Sequence, residues 1–275
     1  MEILRFDAHT KYLGRKLTFD DYHRSEVSNR ISSAWRKFNL LRHELTSNAY
    51  PLKARLKLFD GTITPTVLYG CASWTLTKDL QTTLKRTQRR MLRIVLGTPR
   101  RQILQASQAA PSDHSTDDVN SNTSQRSTLE ETVTLTEQDL LEPWPDFVKR
   151  ATRLAETMSA EVKAEDWVTI FWKSKWRWAQ RIAAQPCDRW SRLAATWDPE
   201  IHDKRPTARR SGGQHKRWDD DINAFLRDHQ HAFPNIQHEG WLRLAHRQDL
   251  WGDMEDNFVK HMATTPSVTP TRGTL

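Results

Sequence analysis

Nine of the twelve tryptophans fall between Trp167 and Trp251, and so dense an aromatic payload is too large to leave in water. The C-terminal part of the chain must therefore close around them, and helical spacing shows how. Trp172 and Trp176 stand one turn apart on a predicted helix that also carries Lys173, Lys175, Arg177 and Arg181, and Trp190 and Trp197 take apolar positions of the next. Asp219-Asp220-Asp221 opens a further helix that buries Ile222, Phe225 and Leu226, its acids complementing the helix dipole. A last helix turns Trp241, Leu244, Leu250, Trp251, Met254 and Phe258 inward. Core packing is the reading for most of these indoles, although some Trp faces could stack on bases as in single-strand binders.

The N-terminal part follows another plan. Glu2–Phe6 and Arg15–Phe19 alternate weakly and read as two short strands around Gly14. From Asp21, the spacing of Val27, Ile31, Ala34, Phe38, Leu41 and Leu45 predicts one long helix, with Arg24, Arg30, Arg36, Lys37 and Arg42 off the stripe. Pro51 opens a second helix with Leu52, Leu56, Phe59 and Ile63 on one face and Lys53, Arg55 and Lys57 elsewhere; Pro65 should kink or end it. A third begins after Thr77 as N-cap and stops at Gly97 and Pro99. On it Leu80, Leu84, Thr87, Met91 and Val95 form the packing face, while Lys85, Arg86, Arg89, Arg90 and Arg93 fall on the other.

Charge points to a partner. Residues 85–101 hold seven basic side chains and no acidic one, whereas a merely solvated face mixes signs. Residues 1–105 carry 20 basic against 8 acidic side chains, residues 106–170 carry 5 against 13, and residues 171–275 carry 17 against 13. Positive charge localised in this way is the footprint of a polyanion binder, with Arg100 and Arg101 extending the helix face. A second basic segment, Asp203 to Trp218, offers Lys204, Arg205, Arg209, Arg210, Lys216 and Arg217 on a Pro- and Gly-containing loop that could follow a phosphate backbone or simply be a biased surface loop. Between them, residues 103–142 are Ser-, Thr-, Asp- and Gln-rich with few apolar side chains, which predicts a disordered acidic linker.

The assembled motifs resemble the C-terminal part of the reverse transcriptase of non-LTR, LINE-type retrotransposons. Lys11-Tyr12-Leu13-Gly14 is similar to the turn after the polymerase palm. Leu56-Lys57-Leu58-Phe59, Thr64-Pro65-Thr66-Val67-Leu68-Tyr69-Gly70, Trp74-Thr75-Leu76-Thr77 and Gln88-Arg89-Arg90-Met91-Leu92-Arg93 resemble the thumb. Lys175-Trp176-Arg177-Trp178-Ala179, Asp188-Arg189-Trp190, Arg217-Trp218-Asp219-Asp220-Asp221-Ile222 and Asp249-Leu250-Trp251 resemble the region beyond it. The expected fold is mainly α: short strands and a palm remnant over 1–20, a thumb-like three-helix bundle over 21–102, the linker over 103–142, a Trp-rich helical domain over 143–262 and a frayed tail over 263–275.

The resemblance implies a grip on RNA, DNA or a hybrid through phosphates, and a separate palm-containing polymerase chain as a candidate partner. Such polymerases hold two Mg²⁺ ions on palm aspartates, and no matching hairpin occurs. Trp218-Asp219-Asp220-Asp221 follows Gln214-His215-Lys216-Arg217 rather than an apolar strand, Phe19-Asp20-Asp21 lacks the intervening residue, and Asp117-Asp118 falls in the linker. No enzyme activity, cofactor or metal is expected. His229, His231 and His238 lack partners for a tetrahedral zinc site, and Gly212-Gly213 is no phosphate loop. Cys71 and Cys187 suggest no disulfide framework, and neither a signal peptide nor an 18-residue apolar run is seen, so an intracellular place in nucleus or cytoplasm, off the membrane, is expected. Two rival readings are a non-functional transposon relic and a helical module whose segment 78–96 docks on an acidic, calmodulin-like partner.

Overall fold

The computed structural model describes residues 9–18, 21–102, 141–196, 216–229 and 240–264, and the fold is mainly α-helical. It opens on an antiparallel hairpin, β1 His9–Tyr12 and β2 Arg15–Thr18, with Tyr12 opposite Arg15. Leu13 and Gly14 form the turn at φ 47° and 75°, the doubly positive backbone whose twist matches that of the strands. The strand expected over Glu2–Phe6 lies outside the described residues, and β2 pairs instead with the residues just before the turn.

A lone hairpin is marginal in water, so its docking matters. Buried Glu26 accepts from the Lys16 amide at 2.7 Å and from Arg30 Nε at 2.8 Å, Arg30 also donates to the Gly14 carbonyl, and the Tyr69 hydroxyl donates to the Leu13 carbonyl at 3.3 Å. Arg30, expected on the outer surface, is thus buried as the link between hairpin and helices.

Helix α1, Tyr22–Leu40, starts where Asp21 accepts from the Arg24 amide at 3.0 Å. It is shorter than expected: Leu41 breaks the run, and Leu45 is buried from a separate short helix, α2 Arg42–Thr46. Helix α3, Leu52–Val67, passes through Pro65, which is exposed and so near the end that the lost hydrogen bond does not stop the last turn. Arg55 is not on the outer face either. It is buried, and its Nη1 donates to the Val95 carbonyl at 2.6 Å, supplying a charged donor to the end of the next helix. A single 3₁₀ turn, Cys71–Ser73, leads into α4, Lys78–Leu96.

Beyond residues 103–140, which carry the predicted linker and lie outside the described residues, come α5 Trp144–Glu161, α6 Trp167–Ala183 and α7 Trp190–Thr196. Next are α8 Asp220–Asp228, α9 Trp241–Leu244, α10 Gln248–Asp253 and α11 Glu255–Thr264. The single last helix expected from Trp241 is therefore three short ones, although Trp241, Leu244, Trp251, Met254 and Phe258 are all buried. Leu141 and Glu142, placed at the end of the linker by composition, are held: Leu141 bridges Gln102, and the Glu142 amide donates to the Arg101 carbonyl at 2.8 Å. Trp190 departs from expectation, being 84% exposed, and Trp197 lies outside the described residues. Cys71 is buried and Cys187 exposed, both as free thiols. Among the described residues no helix is long and apolar enough to cross a membrane.

The helices on either side of residues 103–140 share one buried cluster. Phe59 of α3 stacks on Trp167 of α6 with centroids 6.0 Å apart, and Trp74 stacks on Phe171 at 6.4 Å. Gln88 of α4 bridges to the α5–α6 loop, donating to the Glu165 carbonyl at 3.1 Å and accepting from the Trp167 amide at 2.9 Å. Replacing Gln88 by Ala strands both backbone groups and is expected to cost about 2 kcal/mol. The check is chemical denaturation: a loss no larger than that of an exposed Thr82→Ala control would show the bridge to be dispensable.

Candidate nucleic-acid interface

Helix α4 forms because its ends are specified. Thr77 Oγ1 accepts from the Leu80 amide at 3.4 Å, Asp79 lies in the first turn, and Gly97 closes the helix in the left-handed region at φ 61°. Leu80, Leu84, Met91 and Val95 are buried as predicted. Thr87 is only half-buried, and Gln88 takes its place in the packed stripe.

Two contacts align α4 with α1. Arg24 Nη2 lies 3.0 Å from Asp79 Oδ2, and the Arg90 guanidinium sits 5.5 Å over the Trp35 ring. Both pairs have the same sequence offset, so the helices run parallel and in register for three turns, about 16 Å. Ser28, Ser32 and Arg36 are exposed on α1, and Thr83, Arg86 and Arg90 are exposed on α4. Asp79, at one end, is paired with Arg24. Arg86 makes no ion pair among the described residues, and Arg90 is steadied by an aromatic face rather than by an acid. The face therefore presents cations and hydroxyls, the side chains that contact phosphate oxygens.

The other flank of α4 is different, because α5 lies over it. Arg89 pairs with Glu156 at 2.7 Å, and Arg93 is half-buried with its Nη1 donating to Thr152 Oγ1 at 2.9 Å. Burial, then Arg90 and Arg89, lowers the Arg93 pKa, which marks a crowd of like charge. Lys85 and Arg89 line a cleft of about 380 Å³ with Gln88, Glu156, Ser159 and Asp166. Burial raises the Asp166 pKa, opposed first by Lys85. This flank is charge-mixed and held by structural contacts.

At the end of α4, Arg100 donates to the Glu142 carbonyl through Nε at 2.9 Å, while Arg101 is exposed. A hydrogen bond from Arg150 holds the Glu142 carboxyl down at about 2. In the second basic segment Arg205, Arg209 and Arg210 lie outside the described residues. Lys216 pairs with Asp221, and Arg217 is half-buried with its amide donating to Asp220 at 2.7 Å. Of the predicted set, the structure brings Arg86 and Arg90 together on one open face and leaves Arg101 exposed elsewhere.

The three consecutive aspartates are each engaged separately. Asp219 accepts from the Trp241 indole at 3.2 Å, Asp220 caps the Arg217 amide, and Asp221 pairs with Lys175 at 2.7 Å. Among the described residues no group of three metal-ligating side chains converges.

The chain is similar to an uncharacterized transposon-derived protein of Caenorhabditis elegans. The two are 30% identical over 86 residues, a stretch that covers 31% of this chain and 30% of the relative. No family model matches the chain, and no solved structure matches it.

Sequence reasoning missed the Trp35 seat under Arg90 and the exposed serines of α1. The only local signal was the position of Trp35 beside the apolar seam, on the side that α4 comes to occupy. It also did not set Lys175 apart from Lys173, Arg177 and Arg181, although Lys175 falls on the same helical stripe as Trp172, Trp176 and Ala179.

Proposed function

We propose that the chain is a transposon-derived nucleic-acid-gripping fragment, the thumb and post-thumb part of a non-LTR reverse transcriptase, with no polymerase centre of its own. The carrying observation is the parallel α1–α4 face, where Arg86 and Arg90 stand exposed and make no ion pair among the described residues, in a row of hydroxyls. Contact is to the backbone, so affinity comes from counterion release and carries little base specificity. Similarity to a transposon-derived protein supports the origin. The chemistry, on this reading, belongs to a separate palm-bearing chain, and the fragment acts inside the cell where its nucleic acid is.

A salt titration tests it. Binding of the full chain to a duplex is expected to fall by about tenfold or more between 50 and 200 mM salt, as counterion release at several phosphates demands. Weak binding that ignores salt would reject the reading. The same similarity favours a second one, a relic that folds but binds nothing, and absent binding at low salt would establish that instead. Docking of α4 in a calmodulin-like groove has no such support, since Leu80, Leu84, Met91 and Val95 are already buried in the core.

A further inference from the structure

Among the described residues two tryptophans are left largely in water, Trp144 at 62% exposed and Trp190 at 84%. Their settings differ. Trp190 is flanked by Asp188 and Arg189, and the nearby Arg192 is turned to backbone, donating to the Ala183 and Gln185 carbonyls at 3.0 and 2.6 Å. Trp144 stands at the corner where the end of α4 meets the start of α5, and this corner is built. Its ring leans on Phe147 with centroids 5.3 Å apart, the Arg150 guanidinium lies 5.7 Å over Phe147, and Arg150 Nη2 donates to the Pro99 carbonyl at 2.9 Å. Pro143 and Pro145 flank Trp144 and restrict the backbone that carries it.

The charge around that ring is positive. Arg101 is exposed beside Glu142, Lys149 is exposed early on α5, and Arg100 and Arg150 are half-buried at the corner. Two acids are near. Glu142 has its carboxylate bound to Arg150 at 2.7 Å, and Asp146 faces Lys149 at 3.7 Å. An aromatic face fixed in place among cations is the combination by which single strands are held, because every unpaired base has a face to stack and every nucleotide a phosphate to neutralise. A duplex offers the phosphates but keeps its base faces hidden.

We propose that the Trp144 corner is a platform for an unpaired nucleotide, with Trp144 stacking on the base and Arg101 meeting a flanking phosphate. It rests on the reading that this chain binds nucleic acid, but it concerns a different surface and a different form of the ligand from the α1–α4 face. A chain with both would hold the boundary between paired and unpaired strand.

The test uses the full chain, a fluorescent oligoadenylate and an RNA duplex of equal length. Trp144→Ala is expected to weaken single-strand binding by about tenfold, the scale of one base stacked on one ring, and to leave duplex binding within about twofold. Trp144→Phe should keep most of the affinity, and Trp190→Ala should change neither probe. Unaltered circular dichroism and melting of the variants secure the comparison. Equal losses on both probes, no loss on oligoadenylate, or an equal effect of Trp190→Ala would overturn the platform. If those outcomes come with intact, salt-sensitive duplex binding, the backbone-gripping reading stands and only the platform falls; if the unaltered chain binds neither probe, both fall.

Discussion

Asp221→Asn is expected to destabilise the protein by about 3–5 kcal/mol, the usual consequence of leaving one member of a buried ion pair without its partner. Lys175 is fully buried on α6, 2.7 Å from Asp221 at the start of α8, with the rings of Trp172 and Trp218 each 5.4 Å from its ammonium. Those rings favour a cation, but they cannot replace a carboxylate. Burial lowers the Lys175 pKa, and Asp221 is the main influence raising it again. Without that carboxylate the pKa drops further below its unfolded value. Across the interval between the two values the unfolded chain binds more protons than the folded one, so stability climbs as pH rises. Urea midpoints taken from pH 6 to 9 should therefore show the variant's deficit narrowing toward alkaline pH. Lys175→Met combined with Asp221→Leu should recover most of the loss, since an apolar pair of similar volume carries no desolvation cost. A single Asp221→Asn variant with the original midpoint would show that the buried Lys175 ammonium does not depend on that carboxylate.

Trp176→Ala is expected to cost about 4 kcal/mol or more, a large share of the stability of any domain this size. Trp176 and Trp251 stack 3.8 Å apart, and each indole donates to the other's backbone carbonyl, at 2.8 and 3.1 Å. Phe258 stacks on Trp176 at 4.5 Å and Phe225 meets it edge-on at 5.6 Å, so α6, α8, α10 and α11 converge on one ring. Truncation removes the ring and strands the Trp251 carbonyl in a dry core. Trp176→Phe should lose roughly half as much, because it keeps an aromatic face and forfeits the donor. Thermal unfolding by near-ultraviolet dichroism measures both, and equal losses for the two variants would mean that volume contributes little here.

These two clusters show what a sequence can and cannot report. The demand that the tryptophans be buried was legible from their density, and so were the ends of α4, because Thr77 and Gly97 act on backbone groups within four residues of themselves. The start of α1 at Asp21 is legible for the same reason. The burial of Lys175 was not legible because its partner lies 46 residues away, and local spacing cannot show that a cation on an apolar stripe has an acid waiting for it. Leu41 fits the apolar repeat yet breaks the helix, since periodicity records which side chains turn inward and not whether the backbone is continuous between them.

The candidate face was half legible. Spacing within α4 correctly separated Leu84 and Met91 from Arg86 and Arg90, but it grouped Arg89 and Arg93 with them. Glu156 and Thr152, supplied by α5 from the far side of residues 103–140, draw those two arginines into structural contacts. Only the folded arrangement distinguishes an arginine that holds the protein together from one available to a ligand.

The most direct measurement is the salt slope of duplex binding for Arg86→Ala/Arg90→Ala against the unaltered chain. With two phosphates no longer neutralised, the plot of log affinity against log salt should flatten by about two and binding at low salt should weaken, with folding unchanged. A double variant whose slope and affinity match those of the unaltered chain would contradict the assignment of the α1–α4 face to the nucleic-acid backbone.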